Sequence, residues 1–175
     1  MPSSDNLMPN APRPYRAGVH EGVDFYPGLA CAAVGEGTLV LAAKAGVVIR
    51  ADWSFVEMAV GELEERLARS QAQGYTDAET LDRFRGRQVW IDHGGGVVTR
   101  YAHLGGIASG INVGLEVQAG QEVGYVGNSG TPEAVTAPEA EMHLHFEIRV
   151  GESYLGAGLP PDQVRILLEQ AFAGP

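Results

Sequence analysis

The chain has 175 residues, 45% of them hydrophobic, and a formal net charge of -10 at pH 7. This length suits one domain with a buried core, and the acidic balance excludes nucleic acid and anionic membrane surfaces as favourable partners. A single cysteine, Cys31, excludes an internal disulfide and a cysteine-based zinc site. We expect Cys31 to be a small buried residue, and no apolar run approaches the ~20 residues that a membrane span needs.

The first part of the chain is predicted to be a flexible leader followed by strands. Residues 1–16 are polar and rich in proline, which favours a loose segment. From His20 to about Arg50 the residues have β character, and GTLVLAAKAGVVIRA, residues 37–51, predicts two strands joined by a short turn. The 24 glycines lie mainly between short Val, Ile and Leu runs, as in a β-rich body with tight turns.

The hydrophobic period then changes to that of a helix. Apolar residues recur at helical spacing from Ser54 to about Gln73, and Gly74 is a suitable C-terminal stop. The apolar positions are Val56, Val60, Leu63 and Leu67.

A second helix is predicted directly afterwards. Thr76 can cap it, Glu79 occupies the capping-box position, and Gly86 ends it. We therefore expect residues 54–86 to form a helical insertion in a β domain, with a solvated charged face.

Strand signals return after the insertion. RQVWIDH, GGVVTRYAHL, EVGYVGN and HLHFEIRV are short, β-branched segments separated by glycine-rich turns. The end of the chain, residues 161–173, predicts one amphipathic helix that packs under the sheet. The fold class is therefore mainly β (α+β), with an antiparallel sheet, a helical-hairpin insertion and a C-terminal helix in a single domain, residues 17–175.

The histidines are the candidate functional residues. Side chains alternate along a strand, so His143 and His145 share one face, about 7 Å apart by strand rise, while Leu144 points into a core. One imidazole could bind a metal while the other lies beside it, and we expect His143 to be partly exposed. Two alternatives stay open, a catalytic pair that binds no metal and a pair that only packs in the structure. The five histidines are His20, His93, His103, His143 and His145.

A second group of candidate ligands lies near the N-terminus. His20 and Asp24 are four residues apart in HEGVDF, and a mixed set of imidazole and carboxylate suits zinc, whose catalytic sites keep three protein ligands and one open position. His103 ends a third β segment in YAHL. His93 stands at a strand end before a glycine turn, and we expect a structural role for it.

HEGVDF, YAHL and HLHFEI occur in an order that resembles the LytM/lysostaphin-type zinc metallopeptidases, the M23 peptidases. The resemblance covers residue 16 to about residue 150, and VQAGQEVGYVGNSG is similar to the glycine-rich hairpin of that family. It implies an antiparallel metallopeptidase fold, one Zn²⁺ per chain, and peptidoglycan peptides as substrate. It also implies a location in the cell envelope or outside the cell, although the first residues carry no signal peptide.

The resemblance further implies roles for individual residues. His20, Asp24 and His145 would be the zinc ligands, and His103 and His143 would be the catalytic histidines. No glutamate base from a His-Glu-x-x-His helix is present, so histidine would have to transfer protons, for which its pKa near 6.5 is suitable. Either catalytic histidine could assist water deprotonation while the other stabilises the oxyanion or protonates the leaving amine.

Two segments depart from the family pattern. Residues 54–86 replace a short β connection and could wall the substrate groove or bind a protein partner, and TPEAVTAPEAEM is long and acidic for a link into His-x-His. The alternative hypothesis is a non-catalytic, zinc-holding module that binds wall fragments or regulates a partner hydrolase.

Overall fold

The computed structural model describes residues 1–30 and 33–173, and Cys31, with its predicted burial, lies outside the described residues. In the described part the strands are β1 (Pro12–Arg13), β2 (Gly18–Val19), β3 (Val23–Phe25), β4 (Leu39–Leu41), β5 (Gly46–Ala51), β6 (Val89–Asp92), β7 (Val97–Ala102), β8 (Leu104–Ile107), β9 (Glu116–Val117), β10 (Glu122–Val126), β11 (Leu144–Val150) and β12 (Ser153–Tyr154). The helices are α1 (Val60–Gln73), α2 (Ala78–Arg85), α3 (Pro132–Thr136) and α4 (Pro161–Ala173), with short 3₁₀ turns at Asp5–Leu7 and Pro14–Arg16.

The strands form three antiparallel sheets. The largest has seven strands, in the order β12-β11-β7-β6-β5-β9, with β3 added to β11. A three-stranded sheet has the order β4-β10-β8, and β1 pairs with β2. This architecture of antiparallel sheets with four helices confirms the predicted fold class.

The main core lies between the seven-stranded and the three-stranded sheet. Along β6 the residues alternate, with Val89 and Ile91 fully buried and Trp90 facing outward beneath the guanidinium of Arg100. Val123 of β10 enters the same core from the smaller sheet. The period of two that predicts strands in this sequence therefore also predicts which side chains are buried.

The two strands predicted in residues 37–51 are present, but they do not pair with each other. β4 pairs with β10 in the small sheet, whereas β5 pairs with β6 and β9 in the large one. The link between them crosses from one sheet to the other, and Ala43 donates its N–H to the hydroxyl of the buried Tyr101 over 2.8 Å. Both strands thereby bury residues in the same core without bonding to each other.

The first helix begins later than the pattern predicts. Residues 54–59 are not helical, and Val56 is 74% exposed. The carboxylate of Glu57 accepts from its neighbour Met58 N–H and, over 2.9 Å, from Gly130 N–H, so this segment is held against the loop before α3. Gly74 ends α1 with φ of 77°, as predicted.

The predicted cap of α2 is also wrong. Asp77, not Thr76, caps the helix, because its carboxylate accepts from Thr80 N–H over 2.9 Å. The Thr76 hydroxyl instead donates to the backbone carbonyl of Arg16. Thr76 therefore ties the turn between the two helices to the Pro14–Arg16 turn.

The C-terminal helix α4 packs on the N-terminal segment. Val164 and Leu168 are buried in a small cluster with Met8 and Val23. Met8 is completely buried, and this contact favours an ordered segment over the loose one that the prolines predict. None of the described helices is both long and apolar enough to cross a membrane.

Candidate metal centre

Strand pairing brings the predicted ligands together. In the antiparallel pair β3–β11, Asp24 lies directly opposite His145. His20 lies in the short loop before β3, and Gly22 lets this loop approach β11, since a Cβ on Gly22 would lie 2.4 Å from the carbonyl oxygen of Phe146. The glycine between the two predicted ligands of HEGVDF is therefore required by packing.

The three side chains form a closed triangle of polar atoms. His20 Nε2 lies 2.9 Å from Asp24 Oδ1 and 2.9 Å from His145 Nδ1, and His145 Nδ1 lies 2.8 Å from Asp24 Oδ1. All three residues are buried. Within the described residues, these are the groups that could hold a metal ion.

The outer hydrogen bonds of the two imidazoles turn their lone pairs inward. His20 Nδ1 donates to the carbonyl oxygen of Met8 over 3.0 Å, and His145 Nε2 donates to the Glu147 carboxylate over 3.1 Å. In a neutral ring the other nitrogen then carries a lone pair. Three acceptors converge on one point, and such a cluster needs a cation to be stable.

The donor set fits a zinc ion. Two imidazole nitrogens and one carboxylate oxygen are ligands that zinc prefers, and three protein ligands would leave one position for water, as in catalytic zinc sites. Tetrahedral zinc with bonds of about 2.0–2.1 Å would separate the ligand atoms by roughly 3.3 Å. The observed triangle is smaller by a few tenths of an ångström, which small side-chain rotations can supply.

The pKa shifts within the cluster also favour a bound cation. Burial raises the pKa of Asp24, but His20 and His145 outweigh it and hold this pKa well below its usual value. Burial lowers the pKa of His145, but the hydrogen bonds to Asp24 and Glu147 raise it overall. The cluster therefore attracts positive charge, whether as a proton or as a metal ion.

Glu147 is a site residue that the sequence reasoning missed. It is completely buried, and besides His145 it contacts Arg85, whose Nε lies 2.5 Å from Glu147 Oε1, and Arg100. Burial raises its pKa, but His145 and Arg85 lower it overall. Strand alternation could have found it, because His143, His145 and Glu147 are spaced by two.

Arg13 was missed as well. Its Nη2 donates to Asp24 Oδ2 over 3.1 Å, so the two carboxylate oxygens of Asp24 have different tasks. Oδ2 is held by the guanidinium, and Oδ1 faces the two histidines. No local sequence signal predicts this contact, since it depends on the fold of the β1–β2 hairpin.

His103 and His143 lie beside the triangle with their Nε2 atoms available. His103 Nδ1 donates to the Ser129 carbonyl over 2.8 Å, and His143 Nδ1 donates to the Glu141 carbonyl over 2.6 Å. The two ring centroids are 4.7 Å apart, and His143 Nε2 lies 3.9 Å from Asp24 Oδ1. This arrangement places two further bases next to a potential metal ion.

The expectation that His143 is partly exposed is wrong. It is 3% exposed and stacks on the Tyr26 ring at 4.2 Å. Burial lowers the pKa of His143, and burial together with neighbouring His143 lowers that of His103 well below its usual value. Both rings are therefore neutral near pH 7 and can accept a proton.

His93 lies apart from this group. Its ring nitrogens contact the Ala45 carbonyl and the Thr99 hydroxyl, each over 2.8 Å. It does not line the cavity described below. These contacts agree with the structural role that the sequence suggests.

Asp24 and the four histidines beside it open onto one cavity of ≈ 720 Å³. These histidines are His20, His103, His143 and His145. The helices of residues 54–86 form part of its wall through Leu67, Leu81, Phe84 and Arg85. The acidic segment TPEAVTAPEAEM contributes Glu133 and Glu141. A volume of this size accommodates a short peptide.

Comparison with known proteins gives one family. The model of peptidase family M23 matches residues 18–156. The chain is 24% identical to lysostaphin, with a TM-score of 0.51 to its solution structure, and the match covers 91% of this chain and 49% of that one. At this identity the likeness concerns the fold alone.

Two curated relatives match shorter stretches. An L-Ala--D-Glu endopeptidase of Bacillus subtilis (strain 168) is 35% identical over 78 residues, which are 45% of this chain and 24% of the relative. The peptidoglycan DD-endopeptidase ShyA of Vibrio cholerae is 40% identical over 67 residues, 38% of this chain and 14% of the relative. The matches thus span less than a quarter of the length of either relative.

Proposed function

Because this chain belongs to peptidase family M23, we propose that it is a zinc-dependent endopeptidase that hydrolyses peptide bonds in bacterial cell-wall peptidoglycan. The observation that supports this most directly is the convergence of three buried acceptor atoms, from His20, Asp24 and His145, beside two neutral histidines in one cavity. Both curated relatives carry the name of an endopeptidase, and one name includes peptidoglycan.

We assign the ligand roles to His20 Nε2, Asp24 Oδ1 and His145 Nδ1, the three atoms of the triangle. A zinc ion bound there supplies Lewis-acid chemistry and activates water for attack on a carbonyl. Arg13 and Glu147 hold two of the ligands in orientation through Asp24 Oδ2 and His145 Nε2.

His103 and His143 would perform the proton transfers. Each donates from Nδ1 to a backbone carbonyl, which leaves Nε2 as the acceptor. One Nε2 would take the proton of the attacking water. The other, once it has gained a proton at Nε2, would stabilise the oxyanion or protonate the leaving amine. Two bases that are 4.7 Å apart by ring centroids can serve both ends of one scissile bond.

The helices of residues 54–86 would form a specificity wall. Leu67, Leu81 and Phe84 present apolar surface to the cavity, so a substrate side chain could pack there. A protein partner at the outer face of this insertion, and a location in the cell envelope, stay predictions from the sequence.

The assignment of roles can be tested with single alanine variants. Asp24→Ala and His145→Ala should lose zinc, because removing one of three protein ligands sharply weakens the site. His143→Ala and His103→Ala should keep zinc, while hydrolysis of peptidoglycan fragments falls by at least ~10²-fold. Zinc content and turnover are measured on the same preparations.

His93→Ala is the matched control, since His93 lies outside the cavity, and it should keep both zinc and turnover. Full zinc in Asp24→Ala would reject the ligand set. Zinc retained with unchanged hydrolysis in His143→Ala would favour the alternative, a module that holds zinc without catalysis.

A further inference from the structure

Arg16 is a buried cation without a carboxylate partner. It is 5% exposed and belongs to the lining of the cavity. Its Nη2 donates to the Val19 carbonyl over 2.5 Å, and its Nη1 makes a long contact of 3.4 Å with the Thr76 hydroxyl. No described carboxylate pairs with it. Burial lowers its pKa, which reflects the cost of a charge held away from water.

The other arginines of the cavity differ from Arg16. Arg13 pairs with Asp24, and Arg85 pairs with both Glu147 and Glu21. Buried charges in proteins are almost always paired, because a charge held away from water without a partner is strongly unfavourable. The guanidinium of Arg16 has five N–H donors, and its three partners within the chain are the Val19 carbonyl, the Thr76 hydroxyl and the Tyr15 side chain. None of them is a carboxylate, and they are fewer than its donors.

The opposite side of the cavity carries the opposite charge. Glu133 and Glu141 line it, and their carboxylates form no ion pair within the described residues. Helix α1 connects the two sides: near its C-terminus Gln71 donates to the Pro14 carbonyl, and near its N-terminus Leu63 packs in a cluster with Val135 of α3.

The length of α1 sets the scale of this charge separation. The contacts at Leu63 and Gln71 are separated by a rise of about 12 Å along the helix, which an extended peptide of roughly four residues can span. A carboxylate on such a peptide would be attracted to the Arg16 side and repelled from the Glu133 and Glu141 side. Charge therefore selects the direction in which an anionic peptide lies in the cavity.

We propose that Arg16 forms a carboxylate-binding subsite, so that the substrates are peptides with a free carboxylate group near the scissile bond. This inference rests on the proposed endopeptidase function. The planar fork of a guanidinium matches a carboxylate and can form two parallel hydrogen bonds with it. Arg16 would thus be a specificity-determining residue at the end of the groove formed by the β1–β2 hairpin and the turn between α1 and α2.

Paired substrates test this with the wild-type enzyme. A synthetic peptidoglycan stem peptide is compared with forms in which each free carboxylate is replaced, one at a time, by a carboxamide. Charged hydrogen bonds contribute about 1.5–3 kcal/mol, so amidation at one position should raise KM about 10- to 100-fold and leave kcat nearly unchanged. Calorimetric binding of the same peptides should show the same ratio in Kd.

Variants then locate the effect. In Arg16→Gln the sensitivity to amidation should disappear while the zinc content stays that of the wild type, and Arg16→Lys should restore part of it. Arg69→Gln is the control, because Arg69 pairs with Asp77 on the outside of the insertion and does not line the cavity. It should keep the full sensitivity.

The outcomes separate this inference from the function on which it rests. Equal KM and equal Kd for all peptide forms in the wild type would overturn the carboxylate subsite, even if every form is hydrolysed. Absence of hydrolysis for all forms, with a Kd that still depends on one carboxylate, would overturn the endopeptidase function and support the subsite. If Arg16→Gln does not fold, the comparison of substrates in the wild type still decides.

Discussion

His145 lies between two carboxylates, and this position explains why its Nδ1 faces the cluster. Glu147 accepts from Nε2 over 3.1 Å, so the ring is fixed with Nδ1 toward Asp24 and His20. This second carboxylate fixes the tautomer and the ring plane of His145, a proposed metal ligand. Single residues around the cluster therefore have definite, testable effects.

Gly22 provides a test at the residue scale. A Cβ at this position would lie 2.4 Å from the Phe146 carbonyl oxygen and 2.9 Å from His145 Cε1. We expect Gly22→Ala to push the loop with His20 away from β11, to lower zinc affinity, and to cost roughly 1–3 kcal/mol of unfolding free energy. Zinc titration and chemical denaturation measure the two effects.

Gly35→Ala is the matched control for this experiment. Nothing lies within 4 Å of a Cβ at Gly35, so zinc affinity should stay that of the wild type. Unchanged zinc affinity in Gly22→Ala would show that the loop adapts without moving His20.

The candidate site residues singled out from the sequence lie together in the structure, but their surroundings could not be predicted. Local spacing identifies the histidines and Asp24, because strand alternation and short loops act over a few residues. Arg13 and Arg16 depend on how a hairpin folds back, and the burial of His143 depends on Tyr26, which reaches it from another part of the chain. Contacts of this kind have no local pattern, so the sequence could not indicate them.

At the scale of elements, the helical insertion is connected to the candidate metal centre. Arg85, at the end of α2, contacts Glu147 and Glu21, and Arg50 of β5 forms two hydrogen bonds with Asp82 of α2. Gly86 follows with φ of 68° and lies against Ser129, so that no other residue fits there. The insertion is thus fixed on the sheet, and removing residues 54–86 would leave Glu147 without Arg85.

Arg85 should therefore act as a positioning residue for His145. We expect Arg85→Met to weaken zinc binding about 10- to 100-fold, the usual effect of losing an outer partner of a metal ligand. Zinc affinity is measured with a competing chelator. Because the variant also leaves the buried Glu147 less well compensated, unfolding free energy is measured in parallel.

Arg83→Met controls for the loss of an arginine from the same helix. Arg83 pairs with Glu62 within the insertion and has no contact with the metal centre. Its zinc affinity should equal that of the wild type. Equal affinities in the two variants would show that Glu147 holds His145 without help from Arg85.

Strands and helices are predicted correctly where the hydrophobic periodicity of the sequence is strong. The strands around RQVWIDH and HLHFEIRV, and the stop of α1 at Gly74, follow the sequence pattern. The start of α1 and the partners of β4 and β5 do not, because Glu57 and the link between β4 and β5 are held by distant parts of the chain. Pairing between strands is set by the shared core and not by the nearest turn.

At the scale of the whole molecule, the main core and the metal centre are separate. The largest cluster of buried apolar residues lies between the seven-stranded and the three-stranded sheet. It contains Phe146 and Leu104, which are chain neighbours of site residues. The cluster from Met8, Val23, Val164 and Leu168 closes the other side. Neither cluster contains a proposed metal ligand, so the apolar core does not depend on metal binding.

Removal of the metal should consequently loosen the site without unfolding the chain. Ligand binding to the folded state stabilises it by about 2.7 kcal/mol at a free zinc concentration 100 times the Kd, which for 175 residues corresponds to a Tm shift of about 5–10 °C. Chelation should lower Tm by this amount, keep the far-UV circular dichroism spectrum, and be reversed by zinc. The His145→Ala variant should show a Tm that does not respond to zinc, which ties the shift to this centre. Complete loss of the spectrum on chelation would instead show that the metal holds the fold together, in which case the converging lone pairs of His20, Asp24 and His145 would destabilise the metal-free chain more than its apolar core can offset.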